Sequence, residues 1–227
     1  RQYNLDSFWR FYGSYLDSAS GVKYVRESLE SKPTKASGES TRWVFDLGPS
    51  LRHRDRRVNE IIADSLPVSM TLGAAAIVFA LLIGVGAGVL GAIRPNGVLD
   101  ALTLTVALVG ISLPSFVIGT VLLLVFAVWL AWLPVGEWGT LRSLVLPAIT
   151  LGLPPAAYIA RLTRLGMIEQ LSMDYIRTAR AKGAPEHVVV LRHALKNAFL
   201  PVLSYLGPAT AFAMTGSFVV ERVFNVP

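Results

Sequence analysis

From Leu66 onward, long apolar stretches alternate with short polar ones, whereas residues 1–65 mix aromatic and charged positions with no sustained period. Runs of that length match the ~20 apolar residues a helix needs to cross a bilayer. In the first 30 residues, Tyr3, Phe8, Trp9, Phe11, Tyr12 and Tyr15 lie among charges and predict one or two short surface helices. Ser31–Ser40 (SKPTKASGES) has the composition of a flexible linker. After the charged stretch Arg52–Arg57, the helical spacing of Val58, Ile61, Ile62 and Leu66 predicts a short amphipathic helix leading into the membrane.

A first span is expected from Leu66 to about Ile93, with Ser65 as cap and Pro67 in the first turn. Gly84 and Gly88 form a small-xxx-small pair that lets another helix come close. Arg94-Pro95-Asn96-Gly97 then marks a tight turn. The apolar run Val98–Trp132 lacks a polar break near Pro114, which predicts one long tilted helix kinked at Pro114 and ending in the interfacial Trp129 and Trp132. A third span from Ser143 to about Leu165 is interrupted by Pro147, Pro154 and Pro155, so neighbouring helices or a wet cavity must satisfy the freed carbonyls. Polar residues 166–197 separate it from a fourth span, about Ala198 to Val220. The fold class expected is an all-α polytopic membrane bundle of about four transmembrane helices, with a polar extracytoplasmic region over residues 1–65 and a short extracytoplasmic segment over 221–227.

Composition sharpens this picture: 53% of the 227 residues are hydrophobic, 16% are charged, and the mean hydropathy is +0.52. That is too apolar for an ordinary soluble domain. The net charge of +6 does not point to nucleic acid, because the basic residues of the second half cluster between Arg161 and Lys196, as the positive-inside bias predicts for a cytoplasmic loop. The eleven basic residues of the first 65 are nearly balanced by nine acidic ones. With loop 166–197 and the turn at Arg94 cytoplasmic, residues 1–65, 133–142 and the C-terminal segment fall outside.

Enzyme chemistry finds little support. The chain contains no cysteine, and no G-x-S-x-G, H-E-x-x-H or G-x-x-x-x-G-K-[ST] pattern. His53, His187 and His193 are dispersed, and the last two fall on different faces of a helix. The expected span interiors hold no Asp, Glu, Lys or Arg away from their ends, so no internal ion-coupling site is evident and an energy source on a partner is the better expectation. A carrier or channel acting alone is the rival class.

Residues 173–201 (MDYIRTARAKGAPEHVVVLRHALKNAFLP) resemble the coupling loop of binding-protein-dependent importer permeases. That loop has an E-A-A triplet, a glycine four residues after its last alanine, and a later Leu-Pro. Arg177-Thr178-Ala179 holds the triplet's place, Gly183 the glycine's, and Leu200-Pro201 the closing pair's. Arg for Glu at position 177 and a longer gap to Leu200 are similar to the dipeptide/oligopeptide/nickel branch, in which D-Y-I-R-T-A-R-A-K-G recurs. Phe45–Ser50, Asn59–Leu72 and Glu221–Pro227 are similar to further segments of that branch, while residues 17–42 are longer than usual there. The resemblance implies a family of about six helices whose first and last lie outside this stretch. It further implies a second homologous permease subunit, two cytoplasmic ATPase subunits that bind ATP and magnesium, and an extracytoplasmic solute-binding protein. Short peptides are the cargo expected, with nickel complexes or other small solutes the alternative.

The residues implied to couple to the ATPase are Asp174, Tyr175, Arg177, Thr178, Ala179, Arg180, Ala181, Lys182 and Gly183. On the residues alone, Asp174 or Ser172 is expected to cap a short cationic helix that Gly183 ends and Pro185 keeps from continuing. Such a helix suits a partner's groove; a solvated basic loop beside anionic lipid is the alternative.

Overall fold

The computed structural model describes Trp9 and residues 22–26, 41–45, 58–136, 138–215 and 218–226. The chain divides into two compact units, Arg1–Ser65 and Leu66–Pro227. In the first, β1 (Val22–Arg26) pairs antiparallel with β2 (Thr41–Phe45), Tyr24 standing opposite Trp43. Strand therefore replaces helix at 22–26, because β-branched and aromatic residues in both segments suit a pleated pair. The expected linker at 31–40 lies outside the described residues, as do most of residues 1–30.

Helix α1 (Val58–Ile93) is continuous, so Ser65 is an internal residue rather than a cap and Pro67 lies within the helix. At 1.5 Å per residue its 36 residues reach roughly 54 Å, more than a hydrocarbon core about 30 Å thick requires. α2 (Val98–Ser112) and α3 (Ser115–Leu122) follow, α3 passing into a π-helical stretch, Leu123–Trp129. The expected single kinked helix is instead a broken pair, bent by 111°. Pro114 disfavours helical geometry in the residue before it, and Leu113 is extended at φ −88°, ψ 135°.

α4 (Leu141–Leu171) is capped by a reciprocal pair: the Ser143 amide donates to Thr140 Oγ1, and the Thr140 amide donates to Ser143 Oγ, each at 3.2 Å. Pro147, Pro154 and Pro155 all lie inside this unbroken helix, correcting the expected interruption. α5 (Asp174–Ala181) and α6 (Glu186–Val188) come next, then a π-helical stretch Val189–Ala194, α7 (Leu195–Ala198), α8 (Leu200–Met214) and α9 (Phe218–Val223). α1 and α4 are long and apolar enough to cross a membrane, and the bent pair taken as one span makes three. The expected fourth span is a 15-residue apolar helix, α8, followed by α9, with residues 216 and 217 outside the described set.

α1 and α4 meet backbone to backbone. A Cβ added at Gly84, Gly88 or Gly152 would sit 2.6 Å from the carbonyl oxygen of Ala156, Ala160 or Ala76 respectively. The small-xxx-small pair thus serves a crossing within this chain, since only glycine leaves room for the opposing carbonyl. The glycine numbers and their partners rise together, so α1 and α4 run in the same direction. α2 and α3 run back along α4 in the opposite direction: Asp100 meets Arg164, Gly110 faces Leu153 and Ala157, and Gly119 faces Thr150. One end of this unit holds the 94–97 turn and α5. At the other, Ser69 donates to Glu221 at 3.0 Å, and Pro67, Val68, Trp138 and Thr140 line a cavity of about 330 Å³.

Candidate functional site

The 172–185 segment is built around one buried side chain. Ile176 is fully buried in a core with Val89 and Ala92 of α1, Met167 of α4, and Val189 and Val190. Ala179 and Ala184 pack partly buried on the same core. Ile176 and Ala179 therefore form the inner face of α5, Ala184 packing beside them from beyond its terminal turn, while Asp174, Tyr175, Arg177, Thr178, Arg180, Ala181 and Lys182 stay exposed. All nine residues singled out from the sequence lie on this one element and its terminal turn, and Ala179 alone of them faces partly inward.

Neither expected cap is made. Met173 is the N-cap residue and supplies no side-chain bond; Ser172 Oγ donates instead to the Glu169 carbonyl, 2.7 Å away. Asp174 occupies the first turn, where a carboxylate still complements the helix dipole. The other end closes as a Schellman motif. The Gly183 amide donates to the Arg180 carbonyl at 2.9 Å, and the Ala184 amide reaches back to that of Ala179 at 3.2 Å. Gly183 has φ +79°, the left-handed geometry that glycine adopts at least cost. Pro185 then stands as N-cap of α6.

Across this turn Arg180 grips Glu186 with both ends of its guanidinium, Nε to Oε2 at 3.1 Å and Nη2 to Oε1 at 2.6 Å. That hydrogen-bonded partner holds the Glu186 carboxyl below the usual glutamate range and raises Arg180 above its ordinary value. Arg180 thus splints the loop rather than presenting an unpaired cation. Tyr175 ties the other flank: its hydroxyl donates to Gln170 Oε1 at 2.8 Å and accepts from Asn197 Nδ2 at 3.2 Å. Arg177 makes only a 3.4 Å contact with Asp174, both groups being largely exposed. The outward face is a small, preorganised surface of cations, hydroxyls and one aromatic ring.

The sequence reading missed Ile176 as the anchor, although the i, i+3 spacing of Ile176 and Ala179 carries the signal. Nor did it single out Asp100 and Arg164, which stand near the ends of two expected spans. In the structure they form a bidentate pair, with Arg164 Nη2 2.7 Å from Asp100 Oδ2 and Arg164 Nε on Oδ1.

Helices long and apolar enough to span a membrane, joined by a short anchored helix closed at glycine, define a helical membrane protein. Residues 80–227 match the family model described as binding-protein-dependent transport system inner membrane component, and the chain belongs to that family. Its relatives include the oligopeptide transport system permease protein OppB of Escherichia coli K12, 48% identical over 184 residues, 80% of this chain and 60% of that protein. The dipeptide transport system permease protein DppB of Bacillus subtilis is 44% identical over 184 residues, 81% of this chain and 60% of that one. DppB of Lactococcus lactis is 42% identical over 182 residues, with 80% and 60% covered. The chain thus spans about 60% of the length of these curated relatives.

Proposed function

We propose that this chain belongs to the transmembrane permease subunit of an ATP-binding-cassette importer for short peptides, with α5 as the helix that docks on a cytoplasmic ATPase. The observation that carries this reading is the seating of Ile176 in a core shared with α1 and α4. A force applied to the outer face of α5 is thereby delivered to two long apolar helices rather than absorbed by a loose loop. Oligopeptide and dipeptide transport are named for relatives at 48% and 44% identity, which favours peptides over nickel or another small solute.

In this arrangement the protein lies in a bacterial inner membrane with loop 166–197 cytoplasmic and residues 1–65 extracytoplasmic. A second, homologous permease completes the pathway, two ATPases supply the energy, and a solute-binding protein delivers the cargo. The permease transports and performs no chemistry of its own. Reconstitution in liposomes tests the reading: peptide uptake is expected only with both ATPases, the partner permease, the binding protein and ATP. Uptake by the purified subunit alone would mark a self-sufficient carrier. Orientation has its own check, since the chain lacks native cysteine. Single cysteines at Ser37 and Thr140 are expected to react with impermeant reagents from outside, and one at Glu186 only from inside.

A further inference from the structure

Asp100 is the buried charged residue among the described residues, 1% exposed at the start of α2. Its carboxylate has two duties. Oδ2 accepts the Asn96 amide at 2.7 Å, fixing the turn between α1 and α2, where Asn96 itself has φ 63°. Both oxygens also receive the Arg164 guanidinium from α4. Beside them the end of α1 passes so closely that a Cβ on Gly91 would lie 3.2 Å from Asp100 Oδ1 and 2.9 Å from Thr103 Oγ1.

The residues on either side of that contact belong to the α5 core. Val89 and Ala92 of α1 pack in the cluster that holds Ile176, and so does Met167 of α4, three residues beyond Arg164. The last turn of α1 is therefore clamped between the ion pair, through Gly91, and the seat of α5, through Val89 and Ala92. Packing alone does not require a charged pair here, because a buried ion pair is often no more stabilising than apolar residues of equal volume. Its particular property is direction: a two-pronged Arg–carboxylate contact fixes orientation as well as distance.

We propose that Asp100 and Arg164 are positioning residues for energy coupling, locking the ends of α1, α2 and α4 into one body so that displacement of α5 moves the spans together. This rests on the proposed function. The two residues touch neither cargo nor ATPase; they act by preventing α1 and the 94–97 turn from yielding when α5 is pushed.

The test uses the complete importer in liposomes, with Asp100→Asn and Arg164→Lys. Three quantities are read: co-purification of the ATPases, ATP hydrolysis, and peptide molecules taken up per ATP. Asp100→Asn keeps the carboxylate's shape and the acceptor for Asn96, and Arg164→Lys keeps the charge but loses the fork. Both are expected to retain ATPase binding and basal hydrolysis, while uptake per ATP falls at least fivefold. An unchanged ratio in assembled Asp100→Asn complexes would overturn the proposal. So would variants that lose assembly while the complexes still formed keep the wild-type ratio, since the pair would then act on folding alone. Failure of the wild-type complex to import peptide would instead refute the function proposed above, keeping the two failures distinct.

Discussion

Truncating Ile176 to alanine probes the seat of α5 directly. The side chain is fully enclosed by Val89, Ala92, Met167, Val189 and Val190, from three different segments. Deleting three buried carbons at such a site costs about 2–5 kcal/mol, the lower end applying where the neighbours close over the space. A loss of about 3 kcal/mol multiplies the undocked population roughly 150-fold, at a factor of ten per 1.4 kcal/mol. Eight residues are too few to hold a helix alone, so undocked α5 also unwinds. Hydrogen exchange in the complete complex reads this at the amides of 177–184, which should lose protection by about two orders of magnitude while α1 and α4 keep theirs. Leu191→Ala is the control, because Leu191 is 57% exposed on the same loop. Protection within twofold of wild type, or an equal loss in the control, would refute the anchoring argument.

Gly183→Val meets no atom within 4 Å, so its cost is the backbone's alone, about 1–3 kcal/mol for a β-branched residue at φ +79°. The variant should insert and pair normally yet lose ATPase stimulation. Gly88→Val would press its Cβ to 2.6 Å from the Ala160 carbonyl and should lower thermal stability in detergent, whereas Gly86→Val, in open space, should not. Glu186 has a folded-state pKa below its ordinary 4.5, so the Arg180 clasp contributes fully above that value and is lost as pH falls through the depressed one. Exchange protection of 182–186 should accordingly weaken below about pH 4.5 in wild type, and Glu186→Gln should show the weaker protection at all pH values.

What the sequence made legible follows from local rules. The positive φ at Gly183, the short helix ahead of it and the stop at Pro185 each depend on a few neighbouring residues, and each is found. The errors are of two kinds, local rules misapplied, as at the Ser172 or Asp174 cap and at Pro114, and tertiary packing that overrides local preference. Three prolines in α4 suggested interruption, yet the helix runs unbroken from Leu141 to Leu171, with Pro147 fully buried. Pro114, which looked like a kink, ends a helix because Leu113 turns extended. Asp100 and Arg164 were visible as charges, but no local pattern joins residues 64 positions apart.

The absence of charge from the expected span interiors takes on a mechanical meaning once the pairing is known. A close-packed interior transmits displacement between its elements because it has little room to yield. α1 and α4 touch through glycine at 84, 88 and 152, each close against a backbone carbonyl of the other helix. Ile176 joins α5 to that contact from below, and Asp100 with Arg164 holds the same end against rotation. Under the proposed function, energy released on a partner can thus reach the membrane helices without a titrating group along the way. The broken α2–α3 pair, bent at Leu113–Pro114, is then the place in the bundle where motion of the cytoplasmic end need not be passed on unchanged.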